Sequence, residues 1–216
     1  MERDAFLDHL RLRLTSATPT PSAHPIADGD GLPDVGWPED ERPLPEQFVA
    51  AVEAHGGTAR LLRTPEDLEG FVGELIDRHE VTTAVATGEP ILAQATDLLA
   101  QRGVDMHEFD SPATADVDLG VTGAVAGIAR TGTVVLDTSK GRSVSLLPEV
   151  HLVLLAADDL VPTPSDVWRD LPRRFAGTMP SQVVLVTGPS KSADVEGVLT
   201  VGVHGPRAVW VGLLTS

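Results

Sequence analysis

From residue 46 onward, the apolar positions of this chain fall into short runs that alternate between helix and strand periods. Before that point the texture differs. Residues 4–16 carry Phe6, Leu7, Leu10 and Leu14 on one stripe, with Asp4, Asp8, Arg11 and Arg13 mostly elsewhere, which predicts an amphipathic helix. Residues 17–45 hold seven of the seventeen prolines together with Asp28, Asp30, Asp34, Glu39, Asp40 and Glu41. Proline cannot donate to a ladder and repeated charge resists burial, so this stretch predicts an extended linker or surface arm. Residues 46–55 then predict a helix stopped by Gly56-Gly57, and 58–63 a strand. Thr64-Pro65-Glu66-Asp67 supplies a cap, a first-turn proline and early acids for a helix to about residue 78. Strands over 81–86 and 104–109 flank a helix over 90–101. Consecutive βα units of this kind assemble as a parallel sheet.

Past residue 116 the rhythm changes. β-like runs at 117–129 and 133–137 are separated only by Arg130-Thr131-Gly132, too short for a crossover helix, so a hairpin giving the sheet an antiparallel portion is predicted. A buried strand over 150–155, a helix over 164–175 opened near Thr163, and strands over 183–187 and 209–213 complete the series. The expected architecture is α/β, a mostly parallel sheet with an antiparallel hairpin portion and helices on both faces. It spans residues 46–216, preceded by a helix (1–16) and a linker (17–45).

Composition narrows the chemistry. A net charge of −16 over 216 residues repels a nucleic-acid backbone and an anionic membrane surface alike. The chain has no cysteine, which excludes disulfides, thiol nucleophiles and cysteine-ligated zinc or iron–sulfur centres. The apolar runs are too short to span a bilayer, and the acidic start lacks a signal-peptide core, so a cytoplasmic location is expected. Histidines at 9, 24, 55, 79, 107, 151 and 204 include no pair at metal spacing, and HExxH, EF-hand, Walker and GxGxxG patterns are missing. No bound metal is expected.

The candidate chemistry gathers in glycine-containing bends. The strand Val183–Thr187 feeds Gly188-Pro189-Ser190, and a helix beginning near Ser190 would aim free N–H groups at an anion. Lys191 would add charge and Ser190 or Ser192 a hydroxyl; alternatively Ser190 merely caps a turn and Lys191 faces water. Thr131-Gly132-Thr133 reads more readily as a hairpin turn than as a ligand contact. The polar loop 137–143 carries Lys140 and Arg142 and suits either a lid over a carboxylate or phosphate or a solvated loop. His204, between Gly202 and Gly205-Pro206-Arg207, is a candidate acid–base group or a turn residue, with Asp194 and Glu196 as further catalytic candidates.

Taken together, Gly120-Val121-Thr122-Gly123-Ala124, Gly127 through Val134, Ser145-Leu146-Leu147-Pro148 before Val150-His151-Leu152-Val153, Gly188 through Glu196, and Gly202-Val203-His204-Gly205-Pro206-Arg207 resemble the LUD domain family of lactate utilization proteins. The similarity is dense from about 117 to 214 and rests mainly on element order from 46 to 116. It implies a fold of the type shared with ribose-5-phosphate isomerase, glucosamine-6-phosphate deaminase and CoA transferases. It also implies a part in bacterial oxidation of L-lactate to pyruvate beside iron–sulfur oxidoreductase partners, with no cofactor in this chain. The candidate ligand-binding set, for a small anionic metabolite, is Thr131, Gly132, Thr133, Lys140, Gly188, Ser190, Lys191, His204 and Arg207. One departure is Arg130, where family members usually carry Glu before the Thr-Gly-Thr turn. Two other functions stay open: a stand-alone isomerase- or CoA-transferase-like enzyme, and a ligand-binding regulatory scaffold.

Overall fold

The computed structural model describes residue 37 and residues 40–109, 116–139, 142–177, 179–192 and 200–215. The expected helix over 4–16 and most of the expected linker lie outside the described residues. The first half runs α1 (Leu44–Ala54), β1 (Thr58–Leu62), α2 (Pro65–His79), β2 (Thr83–Ala86), a 3₁₀ turn (Pro90–Leu92) leading into α3 (Ala93–Gln101), and β3 (Asp105–His107). The second half runs β4 (Leu119–Gly123), β5 (Ala126–Ile128), β6 (Thr133–Asp137), α4 (Ser143–Leu146), β7 (Val150–Ala156), β8 (Leu160–Val161), α5 (Pro164–Arg174), β9 (Val183–Thr187), β10 (Lys191–Ser192), β11 (Thr200–Val201) and β12 (Ala208–Leu214).

Helix α1 opens before the expected residue 46, because Pro45 sits in its first turn, where a missing N–H breaks no helical bond. Helices α2 and α5 start as their sequences dictate. Thr64 accepts from the Asp67 amide at 3.1 Å while Asp67 accepts from the Thr64 amide at 3.0 Å, and Thr163 with Asp166 repeats this reciprocal cap.

Six strands form a wholly parallel sheet in the order β1-β12-β7-β4-β2-β3. One face carries Leu62, Leu119, Leu152, Leu154 and Trp210, buried under Leu68, Phe71 and Leu75 of α2 and Ala95 and Leu99 of α3. Trp210 lies 5.1 Å from Phe71 ring to ring and donates its indole N–H to His79 Nε2 at 3.0 Å. That bond needs a neutral imidazole, and burial, helped by the Arg78 charge, lowers the His79 pKa accordingly.

The other face is covered differently from the expectation. The run 117–129 is not one strand: β4 ends in the main sheet at Gly123, and β5 belongs to a second, four-stranded sheet, β8-β5-β6-β9. The hairpin β5–β6 is antiparallel as expected, yet it pairs with β9 and β8 instead of extending the main sheet. Alternation explains the split. Val134 and Leu136 of β6 pack with Phe48 and Val52 of α1 onto Val153, Leu155, Val209 and Val211 of the main sheet, while Val135 turns outward to Val167 and Leu171 of α5. Helices therefore cover one face, and a second sheet plus α1 covers the other.

Asp118 ties β4 to β2. Its Oδ2 accepts from the amides and hydroxyls of Thr82 and Thr83 at 2.8 to 3.0 Å. Burial pushes this carboxyl up, but the four hydrogen bonds outweigh it and its pKa is lowered. Replacing Asp118→Ala is expected to reduce stability by about 2 kcal/mol at neutral pH, measured by urea unfolding. Because the folded-state pKa is depressed, that contribution is present above the ordinary carboxylate range and fades as pH falls through it. The wild-type and variant curves should therefore converge in acid.

Candidate functional site

A cleft of about 430 Å³ opens between α4, strand β9 with the bend that follows it, and the bend before β12. Its lining includes Arg142, Ser145, Leu146, Thr187, Ser190 and Lys191, with His204 at one side and Val209 below. Of the residues singled out from sequence, Gly188, Ser190, Lys191 and His204 meet here.

Two backbone bonds hold the bends together: the Ser190 amide donates to Pro206 O and the Gly202 amide donates to Ser190 O, both at 2.9 Å. Gly188 takes a φ of +67°, and a β-carbon there would stand 2.7 Å from His55 O, so the bend can lie against the end of α1 only as glycine. The helix expected from Ser190 does not start. Lys191–Ser192 is instead a short strand paired antiparallel with Thr200–Val201. Among the described residues of this bend, an anion would therefore meet side-chain cations and hydroxyls in place of a helix N-terminus. Lys191 donates to the His55 carbonyl at 2.6 Å, a favourable place for a cation at the C-terminal end of α1. The same ammonium borders the cleft with protons to spare.

Thr131, Gly132 and Thr133 stand outside the lining. Gly132 presses on the backbone of α1 at Val52, where a β-carbon would come within 2.4 Å. The threonines nonetheless reach the cleft indirectly: the hydroxyls of Thr131 and Thr133 share a hydrogen bond at 2.6 Å, and those of Thr133 and Thr187 share another at 2.7 Å. Arg207 points away and pairs with Glu149 at 3.2 Å, both well exposed. Lys140, Asp194 and Glu196 lie outside the described residues. Arg142, from the loop read as a lid, lines the cleft, and so do Ser145 and Thr187, which sequence reasoning had not placed in the site.

Sequence reasoning also passed over a buried pair beside this floor. His151 is fully buried on β7 and shares a 2.9 Å hydrogen bond with Thr122 Oγ1 through Nε2, whereas its Nδ1 has no partner among the described residues. A polar residue within the otherwise apolar run Val150–Ala156 was the available signal.

A larger open depression, about 590 Å³, lies over α2 and is lined by Gly70, Gly73, Glu74, Asp77, Arg78 and Arg102. Its arginines are already paired, Arg78 with Glu74 at 2.6 Å and Arg102 with Glu69 at 3.5 Å, and it offers no hydroxyl. The smaller cleft is the better chemical candidate. Among the described residues, no three His, Asp or Glu side chains gather as metal ligands, and no helix is long and apolar enough to cross a membrane.

A model of the LUD domain matches residues 45–214. The chain belongs to the LUD domain family. It is 33% identical to lactate utilization protein C of Halalkalibacterium halodurans over 156 residues, 67% of this chain and 68% of that one. It is 29% identical to the protein of the same name from Shouchella clausii over 226 aligned positions, 94% of this chain and 93% of that one. Lactate utilization protein C 1 of Bacillus mycoides is 41% identical over 157 residues, 66% of this chain and 67% of that one. Among solved structures, a DUF162 family protein from Deinococcus radiodurans matches with a TM-score of 0.59 at 21% identity, covering 82% of this chain and 99% of the other. That likeness supports the α/β fold of this LUD domain, a parallel central sheet with its helices.

Burial lowers the His151 pKa from 6.5 to about 4. The unfolded chain therefore takes up a proton near pH 6.5 that the folded LUD domain refuses until about pH 4. Stability is complete above the first value and falls as pH drops towards the second, by about 3 kcal/mol from this residue. Urea unfolding between pH 7 and 4 should show that loss, and His151→Leu should remove it.

Proposed function

We propose that this LUD domain protein acts in lactate utilization as a cytoplasmic, non-cluster subunit of a system oxidising L-lactate to pyruvate. In this reading the cleft holds a small carboxylate, and iron–sulfur oxidoreductase subunits carry the electrons. The observation that bears the weight is the convergence of Arg142, Lys191 and His204 with the hydroxyls of Ser145, Ser190 and Thr187 in a chain of net charge −16. A concave group of cations and hydroxyl donors suits a carboxylate, while Leu146, Val186 and Val209 suit a short carbon skeleton. The relatives named lactate utilization protein C supply the metabolite class. The lack of cysteine means that thiolate-held clusters must belong to another chain. A fold kinship with ribose-5-phosphate isomerase, glucosamine-6-phosphate deaminase and CoA transferases belongs to the same proposal and rests on the motif series.

The test has two arms. Co-expression with an iron–sulfur oxidoreductase, sought among the adjacent genes, should give a complex that reduces a dye in the presence of L-lactate, and deletion of this chain should abolish that reduction. In the isolated protein, L-lactate or pyruvate should raise the melting temperature by mass action. Arg142→Ala and Lys191→Ala should each weaken binding about tenfold or more, the loss of a charge-assisted hydrogen bond. Absence of both the complex and any ligand stabilisation would overturn the proposal.

A further inference from the structure

His151 interrupts a strand otherwise filled by Val150, Leu152, Val153, Leu154 and Leu155, and its side chain is wholly buried. One ring nitrogen is engaged by Thr122, and the other has no partner among the described residues. A buried polar atom left unpaired destabilises a fold, so an apolar residue would serve this strand better if packing were the only requirement.

Its position suggests what that requirement is. In the register of the parallel sheet, His151 lies between Gly120 of β4 and Val209 of β12, all three on one face. Val209 lines the cleft. Gly120 is roofed by α4 and the residues after it: a β-carbon there would stand 1.9 Å from Val144 O and 3.1 Å from Pro148. The imidazole therefore sits where the cleft floor passes beneath the 142–148 segment. That cover is anchored by the buried Val144 and Pro148, and between these anchors the turn at Leu146 and Leu147 is 46% and 49% exposed.

We infer, taking the cleft as the carboxylate site proposed above, that His151 and Thr122 form its inner end and hold the α-oxygen of a 2-hydroxy acid and of the 2-oxo acid derived from it. The carboxylate stays at the mouth with Arg142 and Lys191, and the α-oxygen turns inward once the Leu146–Leu147 turn lifts. A hydroxyl and a keto oxygen make different demands, because the hydroxyl can donate a hydrogen bond and the keto oxygen can only accept one. A neutral imidazole with a hydroxyl partner meets both. When Thr122 donates to Nε2, Nδ1 carries the proton and serves the keto form; when Nε2 donates to Thr122, Nδ1 is a bare acceptor for the hydroxyl. His151 is thus a positioning residue that reads the oxidation state of the ligand. No electron passes through it.

The test is NMR of the full chain labelled with ¹⁵N-histidine, titrated with sodium L-lactate and then with sodium pyruvate, with backbone amides followed in parallel. The expected result is that Nδ1 of His151 moves towards the unprotonated position with lactate and the protonated position with pyruvate. Amide shifts at Ser190 and Lys191 without any change in the His151 ring would overturn this inference and leave the carboxylate cleft standing. No response anywhere would overturn both. A His151→Leu variant should melt at the same temperature or higher at neutral pH yet bind both acids at least tenfold more weakly. Unchanged affinity would mean that the histidine is structural only. Should the variant fail to fold, the ring shifts alone decide.

Discussion

A parallel sheet has to be buried on both faces, because its crossovers keep its strands inside and its strands are apolar on both sides. Strand β7 shows how strict this is here: Val150 through Leu155 are all buried, alternating between two separate cores. Helices α2 and α3 close one face with Leu68, Phe71, Leu75 and Leu99. The other face is closed by two unlike covers. The second sheet with α1 lies over β1, β12 and β7, whereas Val144 of α4, with Val85 and Val117, closes the region of β2 and β4. Two covers leave a seam, and the cleft lies along it.

The seam runs past the starts of β7 and β12, since Pro206, Val209 and Arg142 border it. Ligand crevices in open α/β sheets usually lie at the opposite, carboxyl ends of the strands. The difference follows from the second sheet, which brings the end of β9 and its glycine bend onto this side. Lys191 then serves both structure and chemistry. Its bond to the end of α1 holds the bend in place, and the same side chain lines the cleft. A lysine reaching into open solvent would lose far more side-chain entropy on meeting a ligand.

Much of the fold was legible because local signals agreed with tertiary demands. The Thr64 and Thr163 caps, the Gly56 stop and the apolar runs of β7 and β12 each predict the element that forms. The split of 117–129 between two sheets was not legible, since Leu119–Gly123 and Ala126–Ile128 have the same local texture and only a turn at Ala124-Val125 parts them. The start of the expected helix at Ser190–Ser192 was misread for a related reason, and its continuation to Glu196 lies outside the described residues. Its first residues favour a helix start locally, yet Lys191–Ser192 finds strand partners in Thr200–Val201. In the site, glycine bends announced where the backbone turns but not which side chains meet. Arg142 and Ser145 reach the cleft through the docking of α4 on Gly120, a contact between residues far apart in sequence.

Arg130 shows how far a resemblance extends once side chains have positions. Exchanging a carboxylate for a guanidinium at this turn, the departure the resemblance implies, would favour an anionic ligand if the side chain faced the cleft. Arg130 is not among the cleft residues. It is half-buried at the turn, its amide donates to Pro162 O at 3.1 Å, and its charge adds to the stronger pull of Arg42 that holds Asp40 at about 2. The turn communicates with the cleft through hydroxyls, Thr131 to Thr133 to Thr187, not through a charge at 130. A neutral hydroxyl relay keeps its hydrogen bonds whichever charge sits at its outer end, so the side chain at 130 leaves Arg142, Lys191 and His204 in place along the cleft.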